Sequence, residues 1–271
     1  MTANGTDSTS GPLRIVQITD THLYADPAGR LLGLDTRHSL ERVIDLVLDA
    51  RQPDLVVTSG DLTHDGSAQA YRHLQDELQR IGAPVYCLPG NHDDTATLNT
   101  CMNSGHFFSV RSTRIDNWQM LFLDSTLPGS EDGHLGQGEL DALDTALAAA
   151  PDLYTLVWLH HQPVLMGSRW LDSMAVDNPQ DFFAVTDRHS RVRAIVWGHV
   201  HQQFEQQRKG VQLLATPSTC IQFLPGSKNF MVDLVPPGYR WFELHADGSF
   251  QTGVVRLQGI PGEIDPGGNG Y

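Results

Sequence analysis

Residues 13–22 read LRIVQITDTH, an apolar segment that ends in an acid and an imidazole. The run from Leu13 to Thr19 predicts a strand buried inside a sheet. Asp20 and His22 follow at the end of this predicted strand. In open α/β sheets, binding sites form beyond the carboxyl ends of the strands, where loops converge. This one segment therefore predicts both a core strand and a polar site next to it.

The same arrangement recurs along the chain. Five more apolar runs predict strands, at residues 55–59, 85–88, 120–123, 154–159 and 192–197. Polar residues that suit a site follow four of these runs, namely Asp61, Asn91 with His92, His160 with His161, and His199 with His201. Because these segments come at strand ends, we expect them to meet at one place.

Amphipathic stretches lie between the apolar runs. Leucines and other apolar residues recur at helical spacing in three of them, at residues 40–48, 71–81 and 140–147. Such spacing predicts helices with one buried face. Strands that alternate with helices are typical of an α/β protein whose helices cover a sheet.

After Gln203 the pattern changes to short runs separated by turn residues, at residues 211–215, 231–235, 239–244 and 254–257. This spacing predicts antiparallel strands, which we expect to form a second sheet packed on the first. A separate β domain is the alternative. We predict a disordered tail at residues 1–11, one domain at residues 12–258 and a Gly/Pro-rich tail at residues 259–271.

Composition excludes several partners. The 271 residues carry a formal net charge of −14, so no broad basic face is expected for nucleic acid or an anionic membrane. Three cysteines without a CxxC pair predict neither a disulfide framework nor a thiolate zinc site. No apolar stretch approaches the ~18 residues of a membrane span. These features favour a protein of the reducing cytoplasm, and they leave its oligomeric state open.

The candidate site residues are carboxylates, imidazoles and one carboxamide, which are donors that suit Fe, Mn or Zn. Each motif alone has an ordinary alternative, since Asp-x-His and Gly-Asn-His also occur in turns and Gly-Asp can cap a helix. Five such motifs at the ends of predicted strands are difficult to explain by turns alone. The combination therefore predicts a metal centre.

In chain order, the segments DTH, GDLTHDG, GNHD, LHHQP and GHVH resemble the signature of the calcineurin-like metallophosphoesterases. The stretches ATPSTCIQFLPGSKNF and PGYRWFELHADG are similar to the bacterial class III cyclic-nucleotide phosphodiesterases of that superfamily. The resemblance covers residues 13–257. It implies an αββα sandwich, in which two packed mixed β-sheets are flanked by helices.

The resemblance also implies roles for individual residues. One metal ion would be held by Asp20, His22, Asp61 and His201. The other would be held by Asp61, Asn91, His160 and His199, so that Asp61 bridges the two ions. His92 and Asn91 would be catalytic, and the substrate would be bound by His22, Asp61, Asn91, His92 and His201.

The implied reaction is hydrolysis of 3′,5′-cyclic AMP to 5′-AMP by a metal-bridging hydroxide, which lowers the cyclic AMP signal. His92 would stabilise the phosphate or protonate the departing O3′. Fe and/or Mn are the expected metals, and Zn, Co or Ni are compatible with the same ligands. Two alternatives are a phosphodiesterase or phosphomonoesterase of broad specificity and a metal-binding scaffold that has lost catalysis.

Several assignments stay open at this level. His64 and Asp65 follow Asp61 where some members have an aspartate at residue 64, so no partner is assigned that orients His92. His161 is expected beside the ligands rather than among them. Three aromatic residues are candidates either for stacking on adenine or for ordinary packing, namely Trp170, Phe204 and Phe223.

Overall fold

The computed structural model describes residues 11–265. The predicted N-terminal tail lies outside the described residues except for Gly11, and residues 266–271 of the predicted C-terminal tail also lie outside them. Part of that C-terminal stretch contacts the body of the protein. Ile260 and Ile264 pack against a cluster of buried apolar side chains, and Asp265 donates a backbone hydrogen bond of 2.8 Å to the carbonyl of Leu32.

The described residues form sixteen strands. In chain order they are β1 (Leu13–Ile18), β2 (Arg30–Leu31), β3 (Leu34–Asp35), β4 (Leu55–Ser59), β5 (Val85–Leu88), β6 (Phe107–Phe108), β7 (Ser112–Ile115), β8 (Trp118–Phe122), β9 (Tyr154–Trp158), β10 (Val192–Trp197), β11 (Phe204–Arg208), β12 (Val211–Ala215), β13 (Gln222–Phe223), β14 (Val232–Asp233), β15 (Gly238–Leu244) and β16 (Phe250–Arg256).

Two six-stranded mixed sheets organise these strands. The first has the order β16-β15-β1-β4-β5-β6, and the second has the order β11-β12-β10-β9-β8-β7. Strands β1, β4, β5 and β6 are parallel to one another, as are β8, β9, β10 and β12. Antiparallel strands complete the edges of both sheets. The two remaining pairs, β2-β3 and β13-β14, are small hairpin-like sheets.

Six α-helices accompany the sheets in the described part of the chain. They are α1 (Thr36–Leu48), α2 (Ala68–Leu78), α3 (Thr95–Cys101), α4 (Gln137–Ala148), α5 (Arg169–Asp172) and α6 (Pro179–Thr186). The three helices predicted from apolar spacing correspond to α1, α2 and α4. The side chains of Asp35, Ser67 and Asp94 cap α1, α2 and α3 by accepting a backbone N–H. No helix within residues 11–265 has the length and apolar character needed to cross a membrane.

Three layers of apolar side chains hold the sandwich together. Between the sheets, Ile15 and Val57 from the first sheet pack in one cluster with Leu156 and Val196 from the second. Helices α1 and α2 cover the outer face of the first sheet, and α4 and α6 cover that of the second. The predicted αββα arrangement is confirmed.

The strands after residue 203 depart from the prediction. They do not come together in one sheet of their own, and only the short strands β13 and β14 pair separately. Strands β11 and β12 extend the second sheet, whereas β15 and β16 extend the first. The second sheet is instead built around the parallel strands β8, β9 and β10. The sequence pattern assigns these apolar strands to the same sheet as β1, β4 and β5. Hydrophobic periodicity identifies strands but does not say which sheet a strand joins.

The inter-sheet layer yields a first prediction. Leu156 on β9 is fully buried between the sheets. Leu156→Ala should lower the free energy of unfolding by about 2–5 kcal/mol, because the sheets cannot close on the cavity. Leu165→Ala is the matched control, since Leu165 is 72% exposed and should change it by less than about 0.5 kcal/mol. Urea unfolding followed by circular dichroism measures both, and equal losses would contradict this packing.

Candidate metal centre

The loops after five strands converge at one edge of the sandwich. Asp20 and His22 follow β1, Asp61 follows β4, and His160 follows β9. The remaining candidates are Asn91 and His92 after β5, and His199 and His201 after β10. All are buried except Asn91 and His92, which are half-buried. The structure thus brings every predicted site residue into one cluster that draws on both sheets.

Asp61 lies at the centre of this cluster. Its Oδ1 accepts a hydrogen bond of 2.9 Å from the backbone N–H of His92. Its Oδ2 lies 3.7 Å from Nε2 of His22 on one side and 3.3 Å from Nε2 of His160 on the other. One carboxylate oxygen therefore faces two separate groups of donors.

The first group contains Asp20, His22 and His201. Nε2 of His201 lies 3.5 Å from Oδ1 of Asp20 and 3.2 Å from Nε2 of His22. The second group is built around His160, whose Nε2 lies 3.2 Å from Oδ1 of Asn91 and 3.3 Å from Nδ1 of His199. These two groups contain the side chains of the two ligand sets that the family resemblance implies.

Backbone carbonyls fix the orientation of two imidazoles. Nδ1 of His160 lies 2.9 Å from the carbonyl oxygen of Ser59, and Nδ1 of His201 lies 2.8 Å from that of Ile221. A carbonyl only accepts, so the Nδ1–H donates and Nε2 is the ring atom directed into the cluster, where it can offer its lone pair to a metal ion. Such partners for the outer nitrogen are typical of metal-binding histidines.

Several buried polar atoms of the cluster lack a partner. Among the described residues, Asp20 Oδ2 and His199 Nε2 make no hydrogen bond, and Asp61 Oδ2 meets the imidazoles of His22 and His160 without a well-aligned hydrogen bond. A buried polar atom left unsatisfied costs about 1–3 kcal/mol, and more for a charged group. Cations bound between these atoms would satisfy them, and the mixture of carboxylate and imidazole donors suits Fe, Mn or Zn. The residues present therefore fit a metal centre.

The protonation equilibria agree with this interpretation. Burial lowers the pKa of His22 and of His199 well below the ordinary histidine value, which keeps both imidazoles neutral and able to bind metal. Burial also disfavours charge on His160, but the carboxylate of Asp61 outweighs it and raises the pKa of His160 to about 9. Burial opposes ionisation of Asp61, yet the charge of His160 holds the pKa of that carboxyl well below its usual value. A positive charge is thus favoured next to Asp61.

Left-handed backbone conformations aim these side chains. Among residues 11–265, eight residues other than glycine have a positive φ. Five of the eight belong to the cluster, namely Asp20, His22, Asp61, His199 and His201, with φ between 45° and 61°. Each such conformation costs about 1–3 kcal/mol and persists only where the surroundings enforce it. Strain concentrated on these five residues is typical of a functional site.

Residue 90, in the loop after β5, is a glycine because the backbone there passes very close to Asp61 and His160. A Cβ on Gly90 would collide with the backbone nitrogen and Oδ1 of Asp61 and would lie 2.8 Å from Cε1 of His160. Only glycine allows the loop after β5 to touch both side chains.

Sequence reasoning missed several neighbours of the cluster. Asp93, the last residue of the GNHD motif, ties two loops together by accepting hydrogen bonds from the backbone N–H groups of Leu62, Thr63 and Gly90 and from the Tyr71 hydroxyl. The motif contains Asp93, but nothing in its spacing indicates that it joins loops. Cys220 lies within reach as well, since its Sγ and donor nitrogens of His22 and His201 are within 4.8 Å of one another.

The open assignments of the sequence also have places in the structure. His161 lies beside the second group, with Nδ1 2.8 Å from the Ser125 hydroxyl and its ring 4.7 Å from that of His199. Phe223 is buried and stacks on the ring of His201 at 4.0 Å, so it packs under a candidate ligand. Trp170 packs edge-on against Phe223, and Phe204 packs near Trp197. These contacts favour packing roles for all three aromatic residues.

Comparison with known proteins agrees with this geometry. The sequence profile described as calcineurin-like phosphoesterase matches residues 13–203, which is more than half of the chain. The chain belongs to the calcineurin-like phosphoesterase family. Calcineurin-like phosphoesterases bind two metal ions, and the clustered His and Asp side chains of this chain are compatible with such a centre.

Relatives within the calcineurin-like phosphoesterases extend over nearly the whole chain. A protein of Pseudomonas aeruginosa named 3′,5′-cyclic adenosine monophosphate phosphodiesterase CpdA is 38% identical over 99% of this chain and 98% of its own length. The protein of the same name from Escherichia coli K12 is 38% identical over 96% of this chain and 95% of its own length.

A solved structure gives the same fold at much lower sequence identity. A dimetal phosphatase from Danio rerio superposes with a TM-score of 0.64, and the match covers 91% of this chain and 99% of that structure at 16% identity. This likeness supports the αββα fold of the calcineurin-like phosphoesterase and carries no inference about its substrate.

The crowding around Gly90 gives a second prediction. Gly90→Ala should displace Asp61 and His160 and weaken Mn²⁺ binding by about 10–100-fold, the usual effect of disturbing groups that orient metal ligands. Gly138→Ala is the matched control, because a Cβ there meets nothing within 4 Å. Competition titration with a chelator measures both affinities. Unchanged Mn²⁺ affinity in Gly90→Ala would contradict the close approach described here.

Proposed function

We propose that the protein hydrolyses 3′,5′-cyclic AMP to 5′-AMP at a centre with two metal ions, and thereby lowers the cyclic AMP signal. The observation that carries the substrate is the 38% identity, over nearly the full length of both chains, to a protein named as a phosphodiesterase of this cyclic nucleotide. The buried cluster around Asp61 supports the chemistry, because one of its carboxylate oxygens faces both groups of donors.

The proposed ligands follow the two groups of the cluster. Asp20, His22, Asp61 and His201 would hold one ion, and Asp61, Asn91, His160 and His199 would hold the other. Asp61 would be shared by both ions. We propose Fe and/or Mn as the metals, since oxygen and imidazole donors suit both, and Zn, Co or Ni are compatible with the same donors.

The metal ions, when bound, outweigh the charges of Asp20 and Asp61, attract the singly charged phosphodiester and make water acidic enough to react near neutral pH. This local attraction does not depend on the net charge of −14, because distant surface carboxylates are screened by salt.

His92 and Asn91 are the proposed catalytic residues, and they belong to the loop after β5. Both are half-buried while the other site residues are buried, so an arriving substrate would reach them first. A water molecule releases one proton to solvent, and its oxygen forms a bond to phosphorus as the bond from phosphorus to O3′ breaks. His92 donates a proton to the departing O3′, and Asn91 donates its amide N–H to a phosphate oxygen.

Three side chains complete the proposed substrate site. Nε2 of His22 lies 3.7 Å from Oδ2 of Asp61 and 3.2 Å from Nε2 of His201, and these three side chains would surround the phosphate together with Asn91 and His92. The His22 and His92 rings meet edge to face at 5.0 Å, so the proposed acid lies directly beside a proposed ligand.

We place this activity in the cytoplasm, with neither nucleic acid nor membrane as partner, consistent with the acidic composition.

A substrate panel tests the proposal. The metal-loaded enzyme should hydrolyse 3′,5′-cyclic AMP with a kcat/KM at least about 10-fold above those for the 2′,3′ isomer, an aryl phosphodiester and an aryl phosphomonoester, which corresponds to about 1.4 kcal/mol of transition-state binding. Cyclic GMP is included to measure base selectivity. Equal values across the panel would instead support the broad-specificity alternative, and no turnover of any substrate would support a scaffold.

The proposed acid gives the next prediction. His92→Ala should lower kcat by about 10²–10⁴, the usual effect of losing a general acid, while two metal ions remain bound. Asp61→Ala is the comparison variant, and it should lose both ions because its Oδ2 faces both donor groups. Elemental analysis and steady-state kinetics measure the two effects. Loss of metal from His92→Ala would make His92 a ligand.

A further inference from the structure

The half-buried side chain of His64 lies between two residues of the proposed site. Its Nδ1 is 3.2 Å from Nδ1 of His22. Its ring stacks on that of His92, with the centroids 4.6 Å apart and the planes inclined by 22°. Neither contact belongs to the ligand sets or to the proposed catalytic pair. His64 therefore touches both a proposed ligand and the proposed acid.

The contact with His22 has a defined direction. Nε2 of His22 faces the cluster, 3.2 Å from Nε2 of His201 and 3.7 Å from Oδ2 of Asp61. A neutral imidazole that offers Nε2 to a metal carries its proton on Nδ1. Nδ1–H of His22 then donates to Nδ1 of His64, whose own proton lies on Nε2. The pair of tautomers follows from the position of the cluster.

Comparison within the cluster shows what is unusual about this contact. For His160 and His201, the acceptor opposite Nδ1 is a backbone carbonyl, from Ser59 and from Ile221. For His22 it is the side chain of His64. A carbonyl cannot be removed by substitution, whereas a side chain can. The acceptor of His22 is thus open to a direct test.

The backbone around His64 holds its ring in place. Its N–H donates a hydrogen bond of 2.8 Å to the carbonyl of Leu23. The next residue, Asp65, accepts backbone hydrogen bonds from Ala25 at 2.8 Å and Ser67 at 3.0 Å. The Tyr24 ring packs on His64 at 4.8 Å. His64 is therefore a fixed support and can restrain its two neighbours.

We propose that His64 is a positioning residue with two separable effects, and this inference rests on the proposed function of the cluster. Through Nδ1 it fixes the tautomer and orientation of His22, and so strengthens metal binding at the first donor group. Through its ring it restrains His92 in the orientation that reaches the leaving oxygen. Partners of ligand histidines typically change metal affinity or activity by about 10–100-fold.

Two substitutions separate these effects. His64→Phe keeps a ring to stack on His92 but offers no acceptor to His22. His64→Asn keeps an acceptor oxygen near the position of Nδ1 but has no ring. His64→Gln is a second variant without an acceptor at that position, should the apolar ring of Phe disturb folding. The same substitutions at His38, whose side chain is 48% exposed on α1, are matched controls.

The experiment measures Mn²⁺ affinity by competition with a chelator, and kcat at saturating Mn²⁺ with an aryl phosphodiester. His64→Phe should bind Mn²⁺ about 10–100-fold more weakly at one site while kcat at saturation is preserved. His64→Asn should keep the affinity and lose about 2–10-fold in kcat, the size expected for a lost stacked pair. The His38 variants should match the wild type in both measurements.

Other results would overturn the inference. Wild-type Mn²⁺ affinity in both His64→Phe and His64→Gln would show that Nδ1 of His22 does not depend on residue 64. A parallel loss of affinity and kcat in His64→Asn, with a lower melting temperature, would indicate a general structural role. The metal titration does not use cyclic AMP. A wild-type enzyme that fails to hydrolyse cyclic AMP would therefore count against the proposed substrate, whereas the Mn²⁺ affinities would still test the role of His64.

Discussion

Asp61 is the interaction on which the rest of the site depends. Its carboxylate is fully buried, with one oxygen held by the His92 backbone and the other facing His22 and His160. A buried carboxylate is stable only when charge of the opposite sign is close to it. The raised pKa of His160 shows that this position favours a cation even when the only cation available is a proton. A pair of metal ions supplies the same charge more fully and also satisfies the neighbouring atoms that lack partners.

The sandwich fold allows this many metal-binding donors to lie close together. The parallel strands of both sheets end at the same edge, so short loops deliver each donor without a long excursion. Hydrogen bonds then lock loops from different sheets together, as between the backbone N–H of His199 and Oδ1 of Asp20. Gln17, buried between the sheets, bonds to Ser59 in the first sheet and to the carbonyl of Trp197 in the second. The strained left-handed residues persist because these neighbours leave them no alternative conformation.

Much of the fold and of the cluster follows from the sequence because strand ends and apolar spacing are local properties. Each predicted site residue occurs directly after a buried strand, and all of them meet in the structure. The prediction of which sheet the last strands join was wrong. β15 pairs with β1 through contacts between residues more than 200 positions apart, and such contacts are not a local property of the sequence. The prediction also gave no role to His64 and Asp93, whose functions arise from contacts between loops. Neither residue type nor spacing encodes such contacts.

Burial divides the site into two parts with different freedom to change. The proposed ligands are fully or almost fully buried, apart from Asn91, and are held by backbone carbonyls and strained loops, so a substitution there disturbs several elements at once. Asn91, His92 and His64 are half-buried, so part of each residue reaches solvent. The buried part therefore carries the chemistry that all phosphoester substrates share, because every substrate presents the same phosphate. His64 links the two parts, because it contacts both the buried proposed ligand His22 and the half-buried His92, so a change at His64 reaches both of them.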